Sequence, residues 1–142
     1  METYSFQDCI LNLAFPAASM VITGKGVGEV SVSMSQERSA IEAAADGNVM
    51  ISKIAGNHGV LTLALQQTSD AHKFLLQQYN ALVNGPPSIW AQAAGIMRCL
   101  SDNTTHTFSG MCFQKLGDKG YQKQGQNVQW VLLCGDIQSV PF

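Results

Sequence analysis

The sequence has little charge. Only 13% of its 142 residues are Asp, Glu, Lys or Arg, against roughly 25% in an average soluble domain. Gln, Asn, Ser and Thr take the place of the missing charge, as in the stretch from Gln122 to Gln129. These side chains form hydrogen bonds without the desolvation cost of an ion, so a surface made of them is easily buried against a partner. The composition therefore favours self-association over chemistry.

Basic patches, long apolar runs and a secretory leader are also missing. The eight basic residues are scattered singly and the net charge is −2, which argues against specific binding to a phosphate backbone. No apolar run approaches the roughly 20 residues that span a bilayer, so we expect no membrane anchor. The N-terminus, Met1-Glu2-Thr3-Tyr4, does not begin a signal peptide. We expect a protein made and kept in the cytoplasm.

Closely paired cysteines are missing as well. The sequence contains Cys9, Cys99, Cys112 and Cys134, most of them within apolar runs. Such cysteines are typical of reduced, buried thiols in an intracellular protein. We therefore expect no disulfide.

Alternating apolar and polar residues predict strands in the first half of the chain. Apolar residues occupy the odd positions of residues 8–15, and Val30, Val32 and Met34 alternate with serines. The glycine-rich residues 24–28 predict the turn between these two strands. Asp46-Gly47-Asn48 predicts a hairpin turn, because both Asp and Gly tolerate positive φ.

Further strands are expected over residues 49–54 and 60–66, with a tight turn at residues 57–59. Together these segments predict a meander in the centre of the chain.

One helix follows the meander. Thr68-Ser69-Asp70 is typical of a helix N-terminus, and Asn84-Gly85-Pro86-Pro87 of a stop. The apolar residues between them recur at helical spacing: Ala71, Phe74, Leu75, Tyr79 and Leu82.

The last third is partly ambiguous. Residues 89–91 fit a short strand, and residues 93–100 fit either a strand or a turn of helix. Residues 107–115 and 128–138 predict two long strands joined by a polar loop over residues 116–127. The chain thus predicts one mainly β domain over residues 1–142, an antiparallel barrel or sandwich of about seven strands with one packed helix.

Signals for chemistry are weak. Gly24, Gly26 and Gly28 lack the spacing and the following helix of a dinucleotide-binding loop. Three isolated histidines, His58, His72 and His106, show no metal-ligand spacing. We predict no catalytic residue, no metal and no cofactor.

Three smaller alternatives stay open. A Cys–His pair of Cys99 or Cys112 with His106 would assemble only in space. Glu37 and Glu42 are the one carboxylate pair that a single strand face would bring together, and a solvated role is favoured for them. Trp90 and Trp130 are interpreted as anchors of the core or of an interface.

The ordered features of nearly the whole chain resemble the tail-tube proteins of contractile-tailed bacteriophages. They are the opening residues 4–8, the strand at 30–34, the hairpin at 45–50, the turn at 55–59 before a leucine strand, the capped helix ending at 79–80, and segments 113–116 and 135–137.

This resemblance implies an antiparallel β-barrel shared with the tube protein of type VI secretion. It implies a structural, non-enzymatic homo-oligomer of the virion tail, assembled in the host cytoplasm, whose hexameric rings stack into a tube. Its partners would be the tail sheath protein and the baseplate and tail-terminator proteins, with double-stranded DNA as non-specific cargo in the lumen.

Two polar segments are the candidates for contacts between subunits: an arm from Ser35 to Asn48 and the loop at residues 116–127. The candidate contact residues are Ser35, Glu37, Arg38, Ile41, Glu42, Asp46, Lys119, Tyr121 and Lys123. Ser31 and Ser33 are candidates for the lumen lining, since an uncharged wall lets DNA pass without sticking. The alternatives are a ring-forming tube or adaptor of a secretion or contractile injection system, and an enzyme that uses Cys99 or Cys112.

Overall fold

The computed structural model describes residues 3–23, 27–117 and 119–141. The glycine-rich turn is predicted at residues 24–28, and its residues 24–26 are not among the described ones. The described elements are β1 (Cys9–Ala14), β2 (Ser19–Ile22), β3 (Val27–Met34), β4 (Ser39–Ala43), β5 (Val49–Lys53), β6 (Gly59–Gln66), α1 (Asp70–Val83), β7 (Ala93–Cys99), β8 (Thr104–Phe113), β9 (Asn127–Pro141) and two 3-10 turns, Phe6–Asp8 and Pro87–Ile89.

Seven strands form one curled antiparallel sheet in the order β2-β1-β7-β8-β9-β6-β3, and β4 and β5 pair separately. The prediction of a mainly β chain with one packed helix is confirmed. None of the described helices is long and apolar enough to cross a membrane.

The core lies between the sheet and α1. Alternate residues of the long strands point into it, and Val128, Trp130 and Leu132 of β9 are fully buried. Ser69 caps α1 through its hydroxyl, which accepts a hydrogen bond from the backbone N–H of His72 at 3.2 Å. The predicted start of the helix is therefore confirmed, and α1 ends at Val83, with Asn84 as its C-cap, as expected.

Two opposed glycines shift the side-chain alternation in β8 and β9. Buried positions in β8 skip from Phe108 to Met111, and those in β9 skip from Cys134 to Ile137. Gly110, with φ of +62°, lies at the skipped position of β8, close to Gly135 of β9. Each strand has one extra residue at this place, so the two strands stay in register. Beyond the glycines, the alternation of buried and exposed side chains is shifted by one residue in both strands.

The predicted meander is wrong. β3 pairs directly with β6, placing Val30 opposite Leu63, and the β4–β5 hairpin is inserted between them. Alternation shows which face of a strand is buried but does not identify its neighbour. β3 and β6 both direct apolar side chains to the same core, and that shared burial accounts for their pairing.

Residues 89–91 do not form the short strand considered above. Pro87–Ile89 is a 3-10 turn, since Pro87 has a fixed φ that suits the start of a helical turn. Residues 93–99 form strand β7, which resolves the ambiguity there. Strand β2 was not predicted, because only one of its four residues, Ile22, is fully buried.

Candidate assembly surfaces

The β4–β5 hairpin exposes all ten of its strand residues. Ile41 lies opposite Ile51, and Ala43 lies opposite Val49. Residues at alternate positions share a face, so these four form one surface, which we call the apolar hairpin face. Ile41 is 70% exposed and Ile51 is 69% exposed. This exposed apolar face is therefore a candidate surface for association.

The chain reverses at Asp46 and Gly47 as the sequence predicts, but of these two residues only Gly47 has a positive φ. Gly47 adopts φ of +90°, a conformation that glycine takes without a steric cost. The backbone N–H of Ala44 donates to the carbonyl of Asn48 at 2.7 Å, and the N–H of Asn48 donates to Oδ1 of Asp46 at 3.1 Å. Asp46 therefore shapes the tip of the hairpin.

The base of the hairpin is joined to the sheet by hydrogen bonds. The Arg38 guanidinium donates to the carbonyl of Ile54 at 3.4 Å and to Oδ1 of Asn57, while the Ile54 N–H donates to the Arg38 carbonyl at 2.8 Å. The N–H of Ile137 in β9 donates to the carbonyl of Asn57 at 2.8 Å. Arg38 thus contributes to fixing the direction in which the hairpin leaves the sheet.

The six candidate residues of the arm divide by position. Ser35, whose N–H donates to the carbonyl of His58 at 3.1 Å, lies at the base with Arg38, and Glu37 is exposed between them. Ile41 belongs to the apolar hairpin face, and Glu42 points to the opposite face with Met50. Their contacts with a neighbouring subunit stay a prediction.

Sequence reasoning did not single out Val49, Met50 and Ile51, which are 57%, 58% and 69% exposed. The sequence signal was the hairpin turn, but its length decides the register. The loop has three residues, 45–47, so Ala44 lies opposite Asn48 and Ile41 lies opposite Ile51. A two-residue turn would have placed Ile41 opposite Ser52 instead.

The loop of residues 114–126 is the second candidate surface. Its residues Lys119, Tyr121 and Lys123 are exposed, Tyr121 by 80%, and the Lys119 ammonium lies 5.8 Å from the centroid of the Tyr121 ring. Gln67 holds the loop, because its N–H donates to the Gln126 carbonyl at 3.3 Å and its Oε1 accepts from the Gln126 N–H at 3.4 Å. The described part of this loop is thus tied to the segment before α1.

Ser31 and Ser33 lie on the exposed face of β3, opposite Thr62 and Val60 of β6. Val30 and Val32, on the other face, pack against the core. The two serines therefore belong to a largely uncharged sheet surface that also carries Glu29. That this surface faces a lumen stays a prediction.

A second apolar surface lies at the C-terminal end of α1. Leu82 and Val83 of the helix form a groove of about 400 Å³ with Gly85, Pro87 and Trp90. Val83 is 50% exposed and Trp90 is half-buried. Trp130, in contrast, is fully buried in the core. This groove and the apolar hairpin face lie on separate elements of the described chain.

The expectation of no disulfide is wrong. Cys9 and Cys99, 90 residues apart in the chain, are bonded to each other. They are direct partners in the ladder of β1 and β7, a pairing between distant strands that their sequence spacing does not reveal. Cys99 is therefore not a free thiol in this structure.

The remaining candidates for chemistry are dispersed. His106 Nδ1 lies 2.6 Å from the Ser139 hydroxyl. Burial raises the pKa of the Cys112 thiol, and burial followed by the proximity of Cys112 raises the pKa of Cys134 to about 11. Within residues 3–23, 27–117 and 119–141, no three His, Cys, Asp or Glu side chains come together as metal ligands.

The fold is similar to that of solved tube-assembly chains. A chain of the PVC extracellular contractile injection system sheath–tube complex in the extended state aligns with a TM-score of 0.61 at 8% identity, covering 99% of this chain and 93% of that one. A chain of the anti-feeding prophage baseplate aligns with a TM-score of 0.60 at 15% identity, covering 99% and 98%. A chain of the PVC sheath/tube terminator in the extended state aligns with a TM-score of 0.62 at 9% sequence identity. The alignment covers 99% of this chain and 98% of that one.

No curated protein matches the sequence significantly. The model of the Bacteriophage PhiTE tail tube protein family matches residues 1–140. This match spans every described strand and α1, apart from the last residue of β9. The chain therefore belongs to the Bacteriophage PhiTE tail tube protein family.

Proposed function

We propose that this chain is the structural subunit of a phage tail tube, which stacks as hexameric rings inside a contractile sheath and conducts DNA during ejection. The observation that carries the proposal is the apolar hairpin face, with Ile41 and Ile51 about seven-tenths exposed. An isolated subunit gains nothing from such a surface, whereas a copy of the chain packed against it removes the apolar area from water.

Ring closure supports a role for two different surfaces. A head-to-tail ring joins one patch of each subunit to a different patch of the next. The apolar hairpin face and the groove at Val83 and Trp90 are two such patches on separate elements. Stacking of rings needs further contacts, for which the loop with Lys119, Tyr121 and Lys123 is our candidate.

The lumen candidate is the exposed face of β3 with Ser31 and Ser33. Hydroxyl groups present no fixed positive charge to a phosphate backbone, so DNA as non-specific cargo would pass with little retention. Glu29 on the same face adds repulsion rather than attraction. In this account the chain has no enzymatic activity and requires no cofactor.

The partners that we propose are the tail sheath protein and the baseplate and tail-terminator proteins. The similar solved chains come from a sheath–tube complex, a baseplate and a sheath/tube terminator, which supports the same set here. The subunit would reside in the virion tail after assembly in the host cytoplasm.

A second candidate is a ring-forming tube or adaptor of a contractile injection or secretion system. The likeness to injection-system and anti-feeding prophage chains favours it. Long tubes that co-purify with a sheath protein and phage DNA would support the phage tail, and short rings that retain small proteins would support the adaptor.

Matched charge substitutions test the role of the hairpin. Ile41→Asp with Ile51→Asp introduces two carboxylates on the apolar hairpin face. Ala40→Asp with Ser52→Asp introduces the same charges on the opposite face of the same strands. We expect sedimentation and electron microscopy to show assemblies for the wild type and the control pair and dispersed subunits for the isoleucine pair. Assembly of the isoleucine pair at the wild-type level, or loss of assembly in both, would contradict the assignment to this face.

A further inference from the structure

The disulfide joins the ends of two neighbouring strands. Cys9 begins β1 and Cys99 ends β7, and their Cα atoms are 4.0 Å apart. Both side chains are buried, at 5% and 6% exposure. Every residue of β1, from Cys9 to Ala14, is paired with a residue of β7, so the pairing of the two strands does not depend on the disulfide.

The N-terminal segment, residues 3–8, contacts the chain just beyond Cys99. The N–H of Ser5 donates to the Ser101 hydroxyl at 3.1 Å, and that hydroxyl donates to Oδ2 of Asp8 at 2.5 Å. The Tyr4 hydroxyl lies 4.0 Å from Sγ of Cys9. A small molecule therefore reaches the two sulfur atoms only when this segment moves away.

The other two cysteines are poorly placed to compete. Met111 pairs with Cys134 and Cys112 pairs with Leu133, so the Cys112 and Cys134 side chains point to opposite faces of the sheet. Burial also raises the pKa of both thiols, which lowers the fraction of reactive thiolate. Oxidation is thereby directed to Cys9 and Cys99.

We propose that Cys9 and Cys99 are a reversible redox couple that cross-links β1 to β7 when a low-molecular-weight disulfide is present. One cysteine thiolate attacks a sulfur of glutathione disulfide, forming a mixed disulfide and releasing one glutathione thiolate. The second cysteine thiolate attacks the protein sulfur of the mixed disulfide and releases the second glutathione. The two protein thiols lose two electrons and two protons, and glutathione disulfide gains them.

The couple changes stability without changing the fold. The cross-link closes a long loop and so restricts the unfolded chain, while the β1–β7 ladder persists in both states. The oxidised protein therefore unfolds at a higher urea concentration than the reduced protein.

The test compares the wild-type chain in reduced glutathione with the same chain in glutathione disulfide, both folded throughout. Non-reducing peptide mapping should find one linkage, Cys9 to Cys99, in the oxidised sample, with Cys112 and Cys134 free. The urea midpoint should rise on oxidation and return on reduction. Four free thiols in the oxidised sample, a different linkage, or an unchanged midpoint would overturn the proposal.

Three variants sharpen the result. Cys9→Ser with Cys99→Ser should abolish the dependence of the midpoint on the redox buffer, and Cys112→Ser should retain it. Ser101→Ala removes the hydroxyl that holds the N-terminal segment and should speed both oxidation and reduction. Unchanged rates in Ser101→Ala would contradict the idea that the N-terminal segment controls access to the two sulfur atoms. The comparison of oxidised and reduced wild type remains a test even if a cysteine variant fails to fold.

Discussion

The indole Nε1–H of Trp130 donates a hydrogen bond to Nδ1 of His72 at 3.1 Å, joining β9 to α1 inside the core. Trp130 is 0% exposed and His72 is 2% exposed. Because Nδ1 accepts this bond, the proton of the neutral imidazole resides on Nε2. A protonated imidazole carries hydrogens on both nitrogens and cannot accept it. The packing of α1 on the sheet is thus coupled to the protonation state of His72.

Acid should destabilise the protein through His72. Burial, and then the positive charge of Lys119, lower the pKa of His72 below its ordinary value of 6.5. The folded state therefore binds fewer protons than the unfolded state, and the stabilisation is complete above the unfolded pKa. It decreases as the pH falls through 6.5 towards the folded pKa. Urea unfolding at a series of pH values should show this decrease.

The matched variant for this effect is His72→Gln, whose amide oxygen can accept from Trp130 without titrating. Its free energy of unfolding should change less than that of the wild type as the pH falls below 6.5. Equal slopes in the two proteins would assign the acid sensitivity to other groups.

Replacing Gly59 should separate two strands of the sheet. Gly59 lies in β6 between Met34 of β3 and Cys134 of β9. An added Cβ would overlap the backbone oxygen of Ser33 and lie 2.6 Å from Cδ1 of Ile137. We expect Gly59→Ala to cost about 1–3 kcal/mol of unfolding free energy.

Gly135→Ala is the control for Gly59→Ala, because its nearest contact would be 3.6 Å away, at the carbonyl oxygen of Gly110. Urea denaturation should show the loss at position 59 and little at position 135. Similar losses of unfolding free energy at both positions would mean that the close approach of β3 to β6 does not explain the effect at Gly59.

A positive charge at Ser33 tests the lumen assignment. Ser33→Lys should increase the retention of DNA in assembled tubes at low salt, with the excess removed by added salt. Ser52→Lys adds the same charge on the hairpin, away from β3. Equal retention by the two variants would place Ser33 outside the lumen.

Slow alkylation is expected at the two free thiols. Burial raises the pKa of Cys112, and the pKa of Cys134 is raised to about 11, so few thiolates form at neutral pH. Iodoacetamide should modify both more slowly in the folded protein than in urea. A fast-reacting Cys112 in the folded protein would support the alternative of an enzyme that uses this cysteine.

Sequence patterns identified β1, β6 and β9, in which alternate residues are buried. In β9, alternate residues are buried in the core and the alternation is visible in the sequence: Val128, Trp130, Leu132 and Cys134. The same reasoning held for β1 and for the capped start of α1. Local packing and local hydrogen bonds leave local signatures, which explains these successes.

Partners across the sheet leave no such signature. The pairing of β3 with β6 and the bond between Cys9 and Cys99 both depend on strands far apart in sequence. The contact of His72 with Trp130 spans 58 residues and was likewise not foreseen. These features arise from the order of strands in the sheet, which one-dimensional periodicity does not encode.

The candidate site was predictable in part. Asp46 and Gly47 predicted the turn and therefore the existence of the hairpin. The hairpin was interpreted as a polar arm, because Glu37, Arg38 and Glu42 dominate its first half. Its apolar face became visible only through the register that sets Ile41 opposite Ile51.

Electron microscopy of the purified wild-type chain tests the tube-subunit account most directly. We expect rings with sixfold symmetry and an open central lumen, some of them stacked into tubes. A population of dispersed monomers at every protein concentration and salt condition examined would contradict it.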